Sequence, residues 1–240
     1  MKPFKILSTK ILSPQLIKEV PDHIIITEKE MIQIEPIQNI EKVKEIEYSL
    51  NRKLPLIFTS ANAAEILIQF LKQQHIDLTD CSIYCLSGKT HNLLLQYFPN
   101  HSIISANNAF QLAKKIIANN VKEIIFYCGN IRRDELPDAL HKKNIRIHEV
   151  VVYQTIEAPS KIDEAYDGIL FFSPSGVRSF FSINQLPEST ICFTIGETTA
   201  NSISEYTKNK VIQSKSPDPA NMISEVASFF KTLSEHGIKE

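Results

Sequence analysis

The chain has 240 residues, enough for one large domain or two small ones, and 26 Lys and Arg against 27 Asp and Glu leave a formal charge of -1. Such a balance gives no overall field toward nucleic acid or an anionic membrane, so an anionic ligand must be met by local donors. Cys81, Cys85, Cys128 and Cys192 include no CxxC pair, and no apolar run approaches the roughly 20 residues of a membrane span. Buried free thiols in a soluble, cytoplasmic protein are expected.

Phe4–Ser8 reads as a short strand. Ser13 and Pro14 supply an N-cap and a proline at the first helical position for a brief helix at 16–20, and a second strand follows at 24–27. Between 31 and 37 the pattern alternates strictly, with Ile32 and Ile34 on one face and Gln33 and Glu35 on the other. That suits a half-exposed antiparallel ribbon, which Pro36 ends or holds at an edge. From Asn39 helices and strands take turns: a helix to Leu50, the strand LPLIFTS, a helix at 62–73, the strand SIYCLS, a helix at 90–98 and a weak strand at Ile103-Ile104. A helix at 109–119, the strand IIFYC and a helix at 134–143 with Asp134 as its N-cap complete this stretch. The run IRIHEVVVYQTI is long enough, at roughly 3.3 Å per residue, to leave its own domain. After the polar segment IEAPSKIDEAYD come GILFFS, a helix from Ser175, ICFTI, a helix at 198–206, a short strand at 211–213 and a closing helix at 219–233.

Counting strands decides the architecture. The middle of the chain supplies five, beginning at Leu56, Ile83, Ile103, Ile124 and Ile145. The two ends together supply another five, at Phe4, Ile24, Gly168, Ile191 and Val211. The N-terminal pair alone would be a marginal two-stranded sheet, whereas joining the last three completes a doubly wound domain. Two α/β domains with doubly wound, flavodoxin-like parallel sheets follow: 1–35 with 157–240, and 36–156 inserted between them. The crossings at 31–38 and 146–156 pair as a two-stranded antiparallel ribbon. A weak repeat agrees, since PLIFTSANAAEIL resembles ILFFSPSGVRSFF and LSGKTHNLLL resembles TIGETTANSI.

In such sheets the ligand site lies beyond the carboxyl ends of the strands. The turns expected there carry Ser60 and Asn62, Gly88 and Thr90, Gly129, Asn130 and Arg132, Ser173, Ser175 and Gly176, and Thr198 and Thr199. All combine hydroxyls and small residues with the free N–H groups of helix starts, which bind carboxylates or phosphates. Ser60, Ser175 and Thr198 taken singly read equally as N-caps; five such turns together point to an anionic ligand. Arg132 offers a carboxylate clamp or, beside Arg133, a solvated basic face. Tyr153 is expected to share a strand face with Val151 and Thr155, packing its ring while its hydroxyl reaches the interdomain space. There is no GxGxxG, no phosphate loop and no Gly-x-Ser-x-Gly elbow, and the seven histidines form no HxH or HxxxH pair. Neither a cofactor nor a metal is expected.

FTSAN at 58–62, SGKT at 87–90, GNIRRDELPDALHKKNIRIHEVVVYQT at 129–155, FFSPSGV at 171–177 and IGETTA at 195–200 together resemble the uroporphyrinogen-III synthase family, in order and spacing. The resemblance covers residues 55–230. It departs at Ser8, Thr9 and Lys10, where the family usually ends a strand in Thr-Arg-Pro, and no site is carried over there. Asn144 stands where a helix-ending glycine is usual, and asparagine tolerates the left-handed conformation. The resemblance implies a cofactor-independent lyase of haem biosynthesis; a monomer is expected, and the balanced charge gives no reason for a nucleic-acid or membrane partner. Its substrate would be hydroxymethylbilane, a linear tetrapyrrole with anionic acetate and propionate arms. Loss of the terminal hydroxyl as water would give an azafulvene cation, and ring closure through a spiro intermediate would invert the last pyrrole. Tyr153 matches the family's cleft tyrosine and would assist departure of the hydroxyl. A non-catalytic two-lobed module that binds an anionic small molecule such as a tetrapyrrole is the alternative.

Overall fold

The computed structural model describes residues 2–78 and 81–235, which leaves His236 outside the described residues. In chain order the elements begin with β1 (Phe4–Ser8), α1 (Pro14–Lys18), β2 (Ile24–Glu28) and β3 (Ile32–Pro36). Then follow α2 (Ile40–Asn51), β4 (Leu56–Phe58), α3 (Ala61–Gln74), β5 (Ile83–Leu86), α4 (Lys89–Tyr97), β6 (Ile103–Ala106) and α5 (Ala109–Ala118). The last are β7 (Glu123–Gly129), α6 (Glu135–His141), β8 (Arg146–Glu157), β9 (Gly168–Phe171), α7 (Pro174–Phe181), β10 (Ile191–Thr194), α8 (Glu197–Ser204), β11 (Val211–Gln213) and α9 (Pro219–Glu235). The chain divides into two compact units, a discontinuous one of residues 1–33 with 156–240 and an inserted one of residues 34–155.

Local chemistry explains most of these elements. α3 buries Ala63, Ala64, Leu67, Ile68 and Leu71, the spacing of one helix face, and stops at His75, whose φ of 53° is left-handed. Asn144 takes φ 57° just beyond α6, the conformation for which asparagine substitutes for glycine. Three helix starts differ from expectation. Ser173, not Ser175, caps α7, because Pro174 fills the first helical position where no N–H is needed. Gly196 precedes α8, so Thr198 lies inside the first turn and is no cap. Asp134 stands at the cap position of α6 without capping it, its carboxylate being turned to Arg132 instead.

The discontinuous unit holds a parallel sheet in the order β11-β10-β9-β1-β2. The inserted unit holds β3-β8-β7-β4-β5-β6, parallel from β8 to β6, with β3 on the edge. An edge tolerates Pro36, which has no N–H to give to a ladder. Numbered by first appearance, the discontinuous sheet runs 2-1-3-4-5, the flavodoxin order. The five parallel strands of the inserted sheet run 3-2-1-4-5, the other doubly wound order, so the flavodoxin-like expectation holds for the discontinuous unit alone. Counting the discontinuous unit from β9 and wrapping from β11 to β1 recovers 3-2-1-4-5. Thus β9, β10, β11, β1 and β2 take the places of β4, β5, β6, β7 and β8, which is the physical basis of the repeat in the sequence.

Apolar residues cover both faces of each sheet, as parallel strands require. In the inserted unit Phe58 and Tyr127 pack with Leu67 on one face, while their neighbours Ile57 and Phe126 pack with Leu112 and Ile116 on the other. In the discontinuous unit Ile6, Leu170 and Phe193 meet α9, and Leu7, Ile169 and Phe171 meet α7. Burial pushes the thiols of Cys85 and Cys128 to about 11 and that of Cys192 to about 12, so they remain protonated packing groups. Among the described residues no helix is long and apolar enough to cross a membrane.

Candidate functional site

A doubly wound sheet opens a crevice where two neighbouring strands send their connections to opposite sides. In the inserted unit this switch point lies between β4 and β7. β4 leads through Ser60 into α3, and the Ser60 hydroxyl caps that helix by accepting the Asn62 N–H at 3.2 Å. β7 ends at Gly129.

The register of β8 against β7 brings in a third group. Cys128 lies opposite Val151, but Gly129 lies opposite Tyr153, so Val152 is an extra residue in a bulge. The bulge turns Tyr153 away from the face expected for it. Tyr153 joins Val150, Val152, Phe58 and Tyr127 in one cluster, whereas Val151 packs against the other. Its ring lies on Gly129 so closely that an added Cβ would stand 2.4 Å from ring carbons. The hydroxyl donates to Ser60 Oγ at 3.1 Å, and only 7 % of the residue is exposed.

Asn130 closes this group. Its N–H donates to the Tyr153 carbonyl at 3.1 Å, and its side-chain oxygen accepts the Thr155 N–H at 2.8 Å. Both bonds tie the turn after β7 to β8. Arg132 does not stand free as a carboxylate clamp. Its Nε and Nη2 bind the two oxygens of Glu149 at 2.8 and 2.6 Å, and its Nη1 pairs with Asp134. Glu149 is the main reason that this guanidinium is held even more firmly charged than usual. Gly88 and Thr90 belong to the turn after β5, where Gly88 takes φ 88°, a conformation open to glycine, and Thr90 is buried.

In the discontinuous unit the equivalent switch point lies between β9 and β1. Ser173 caps α7 by accepting the Gly176 N–H at 3.1 Å, and its oxygen lies 3.1 Å from that of Ser175. Thr9, buried at the end of β1, donates from its hydroxyl to the Leu170 carbonyl at 2.7 Å. A Cβ on Gly176 would come 3.3 Å from Ser173 Oγ and 3.9 Å from Thr9 Oγ1, which places Thr9 with the serines. Sequence reasoning passed over Thr9. The signal was present in the strand count, because a β1 paired with β9 must end at the crevice. Thr198 and Thr199 occupy the first turn of α8, Thr198 exposed and Thr199 buried.

The profile described as uroporphyrinogen-III synthase HemD matches residues 25–224. The chain belongs to the uroporphyrinogen-III synthase family. The uroporphyrinogen-III synthase of Saccharomyces cerevisiae is 31 % identical over 142 residues, 52 % of this chain and 52 % of that one. The chain therefore spans about half the length of this curated relative. Two solved structures share the fold: a mutant uroporphyrinogen III synthase of Thermus thermophilus, TM-score 0.65 at 13 % identity, covers 97 % of this chain and 99 % of its own. The uroporphyrinogen-III synthetase of Helicobacter pylori gives 0.64 at 19 % identity, over 95 % and 100 %. The profile match includes every candidate residue named from the sequence and leaves Thr9 outside.

Proposed function

We propose that this chain is an active uroporphyrinogen-III synthase, closing hydroxymethylbilane with loss of water and inversion of the last pyrrole ring. The observation that carries the reading is the Tyr153, Ser60 and Gly129 arrangement at the β4/β7 switch point of a chain that belongs to the family. The reaction is that of a lyase without a cofactor. The terminal hydroxyl leaves as water, taking the C–O electron pair and one proton, and the azafulvene cation is attacked by the substituted carbon of the last ring. The spiro intermediate fragments by breaking the last ring's original bond to its methylene bridge, and reclosure at that ring's free carbon releases the proton that offsets the one taken by the hydroxyl, so that water alone is lost. Because the bilane also closes by itself without inversion, the protein's task is to hold the chain so that the correct carbon reacts, which is catalysis by positioning. The substrate's carboxylates are assigned to the donors at Ser60, Asn62, Gly88, Thr90, Gly129 and Asn130 in one unit. In the other they are assigned to Ser173, Ser175, Gly176, Thr198 and Thr199. Arg132 takes part by exchanging Glu149 or Asp134 for a substrate carboxylate.

The proposal includes two doubly wound domains, 1–35 with 157–240 and 36–156, joined by a ribbon of β3 and β8. Two bonds support the ribbon: Ile37 N–H to the Val152 carbonyl at 2.9 Å and Ala158 N–H to the Met31 carbonyl at 2.9 Å. Residue numbers rise on one strand as they fall on the other, as an antiparallel pair requires. A monomeric cytoplasmic protein, with a small-molecule substrate and neither nucleic acid nor membrane as partner, completes it. The test is product analysis with freshly prepared hydroxymethylbilane. The type III isomer is expected, and recovery of only the type I isomer overturns the reading. Tight tetrapyrrole binding with no turnover would establish a binding module in its place.

A further inference from the structure

A hydroxyl group has one proton to give and two lone pairs to receive with. At Ser60 both lone pairs are used: one accepts the Tyr153 O–H at 3.1 Å and the other the Asn62 N–H at 3.2 Å. The Ser60 proton must then point along the remaining tetrahedral direction. Tyr153 is in the opposite position. Its single proton is given to Ser60, its ring is pinned on Gly129, and it is 7 % exposed. From this count we infer that Ser60, and not Tyr153, is the hydrogen-bond donor that the β4/β7 crevice offers to an oxygen of the substrate, with Tyr153 acting through it as a positioning residue. The inference rests on the proposed synthase reading and moves to Ser60 the donor role that the sequence suggested for Tyr153.

Two physical effects make the arrangement useful. Accepting two hydrogen bonds polarises the serine and strengthens its own O–H as a donor. The tyrosine bond also fixes the serine rotamer, so the donor is aimed before substrate arrives and need not reorganise. An oxygen of the departing hydroxyl or of a carboxylate arm supplies the acceptor.

The experiment is a double-mutant cycle in the full chain with hydroxymethylbilane, measuring kcat, KM and the isomer ratio for the wild type, Ser60→Ala, Tyr153→Phe and the double variant. Ser60→Ala is expected to lower kcat roughly 10- to 100-fold with KM changed less than about threefold, as for loss of one hydrogen-bond donor to a developing charge. Tyr153→Phe should lower kcat about 3- to 10-fold, and the double variant should match Ser60→Ala within about twofold, because the tyrosine acts through the serine. Ser60→Thr, which keeps the hydroxyl, should retain activity within about fivefold of wild type. If Ser60→Ala fails to fold, Ser60→Gly removes the hydroxyl from a position where glycine is a tolerated helix cap. Wild-type kcat in the folded serine variant would reduce Ser60 to a cap, and multiplying effects in the double variant would put Tyr153 itself on the substrate. Either result overturns the inference while leaving the synthase reading intact. A wild-type protein that yields no type III isomer removes that reading, and the inference with it, before any variant is made.

Discussion

The two switch points occupy the same place in the same wrapped topology, yet they are built differently. At β4/β7 a single serine is backed by a buried phenol, and the phenol fits only because Gly129 has no side chain. At β9/β1 the groups are small hydroxyls: Thr9 donates to the Leu170 carbonyl at 2.7 Å, and Ser173 accepts the Gly176 N–H and bonds Ser175, each at 3.1 Å. Equal topology therefore gives one stiff, directed donor and one group of small hydroxyls. The difference originates in β8, whose bulge presents Tyr153, whereas β2 pairs with β1 in unbroken register from Phe4 to Ser8.

Paired substitutions can break this comparison. The largest effect is expected at the glycines. Gly129→Ala must expel the Tyr153 ring and should cost about 1 to 3 kcal/mol in urea unfolding, the range for overpacking a buried site. Gly176→Ala meets Ser173 Oγ at 3.3 Å and Thr9 Oγ1 at an ordinary 3.9 Å and gains helix propensity, so its net change should stay within about 1 kcal/mol. Equal effects at the two positions would show that the ring is not held as described. Next come the arginines. Arg132 binds Glu149 through two bonds in a part-buried setting, while Arg178 meets Glu157 once at 3.0 Å with both groups half-exposed. Arg132→Gln should cost about 1 kcal/mol and Arg178→Gln no more than about 0.5 kcal/mol by the same unfolding measurement, as ordinary for partly sheltered and exposed pairs. The reverse order would contradict the pairing.

The smallest effect is the acid limb of stability. Glu123 lies below the usual carboxylate range because His148 hydrogen-bonds it and Arg146 and Arg52 add their charges. In the discontinuous unit Lys5 lowers Glu164 in the same direction. A depressed carboxylate contributes stability that is fully present above its unfolded value, about 4.3, and is lost as pH falls through the lower folded value. Melting temperatures followed down from pH 5 should therefore fall less steeply in Glu123→Gln than in the wild type. An unchanged slope would mean that the carboxylate is not held down by its partners.

Much of this was legible from residue patterns. Among the described residues, the ten parallel strands and their placing in two sheets, one from the ends and one from the middle of the chain, follow from alternating apolar runs and from the marginal stability of a two-stranded sheet. Asn144 was legible because few residues accept a left-handed φ. The orientation of Tyr153 was not, because period-two counting carries Val151, Tyr153 and Thr155 to one face, and the bulge at Val152 depends on the partner strand. The partner of Arg132 was not legible for a similar reason: Glu149 lies 17 residues away and is brought alongside by the pairing of β7 with β8. Thr9 stands where the familiar Thr-Arg-Pro pattern is missing, and the geometry that makes the end of β1 important is set by a strand, β9, from the far end of the chain.

The wrapped sheet also fixes an order of assembly. During synthesis the inserted unit is complete at residue 155, before the central strand β9 of the discontinuous sheet has been made. Until then β1 and β2 have only each other, a pair of marginal stability in water. The later contact, Ile6 with Gly168, spans 162 positions, against 69 for Leu56 with Ile125 in the inserted sheet. For free chains that difference alone raises the closure cost by about 0.8 kcal/mol. A folded inserted unit removes most of it, because the bond between Ile37 and Val152 already holds its two chain ends together. The N-terminal strands are thus made first and secured late, which makes the nascent chain's exposure to aggregation and proteolysis depend on how quickly the middle folds.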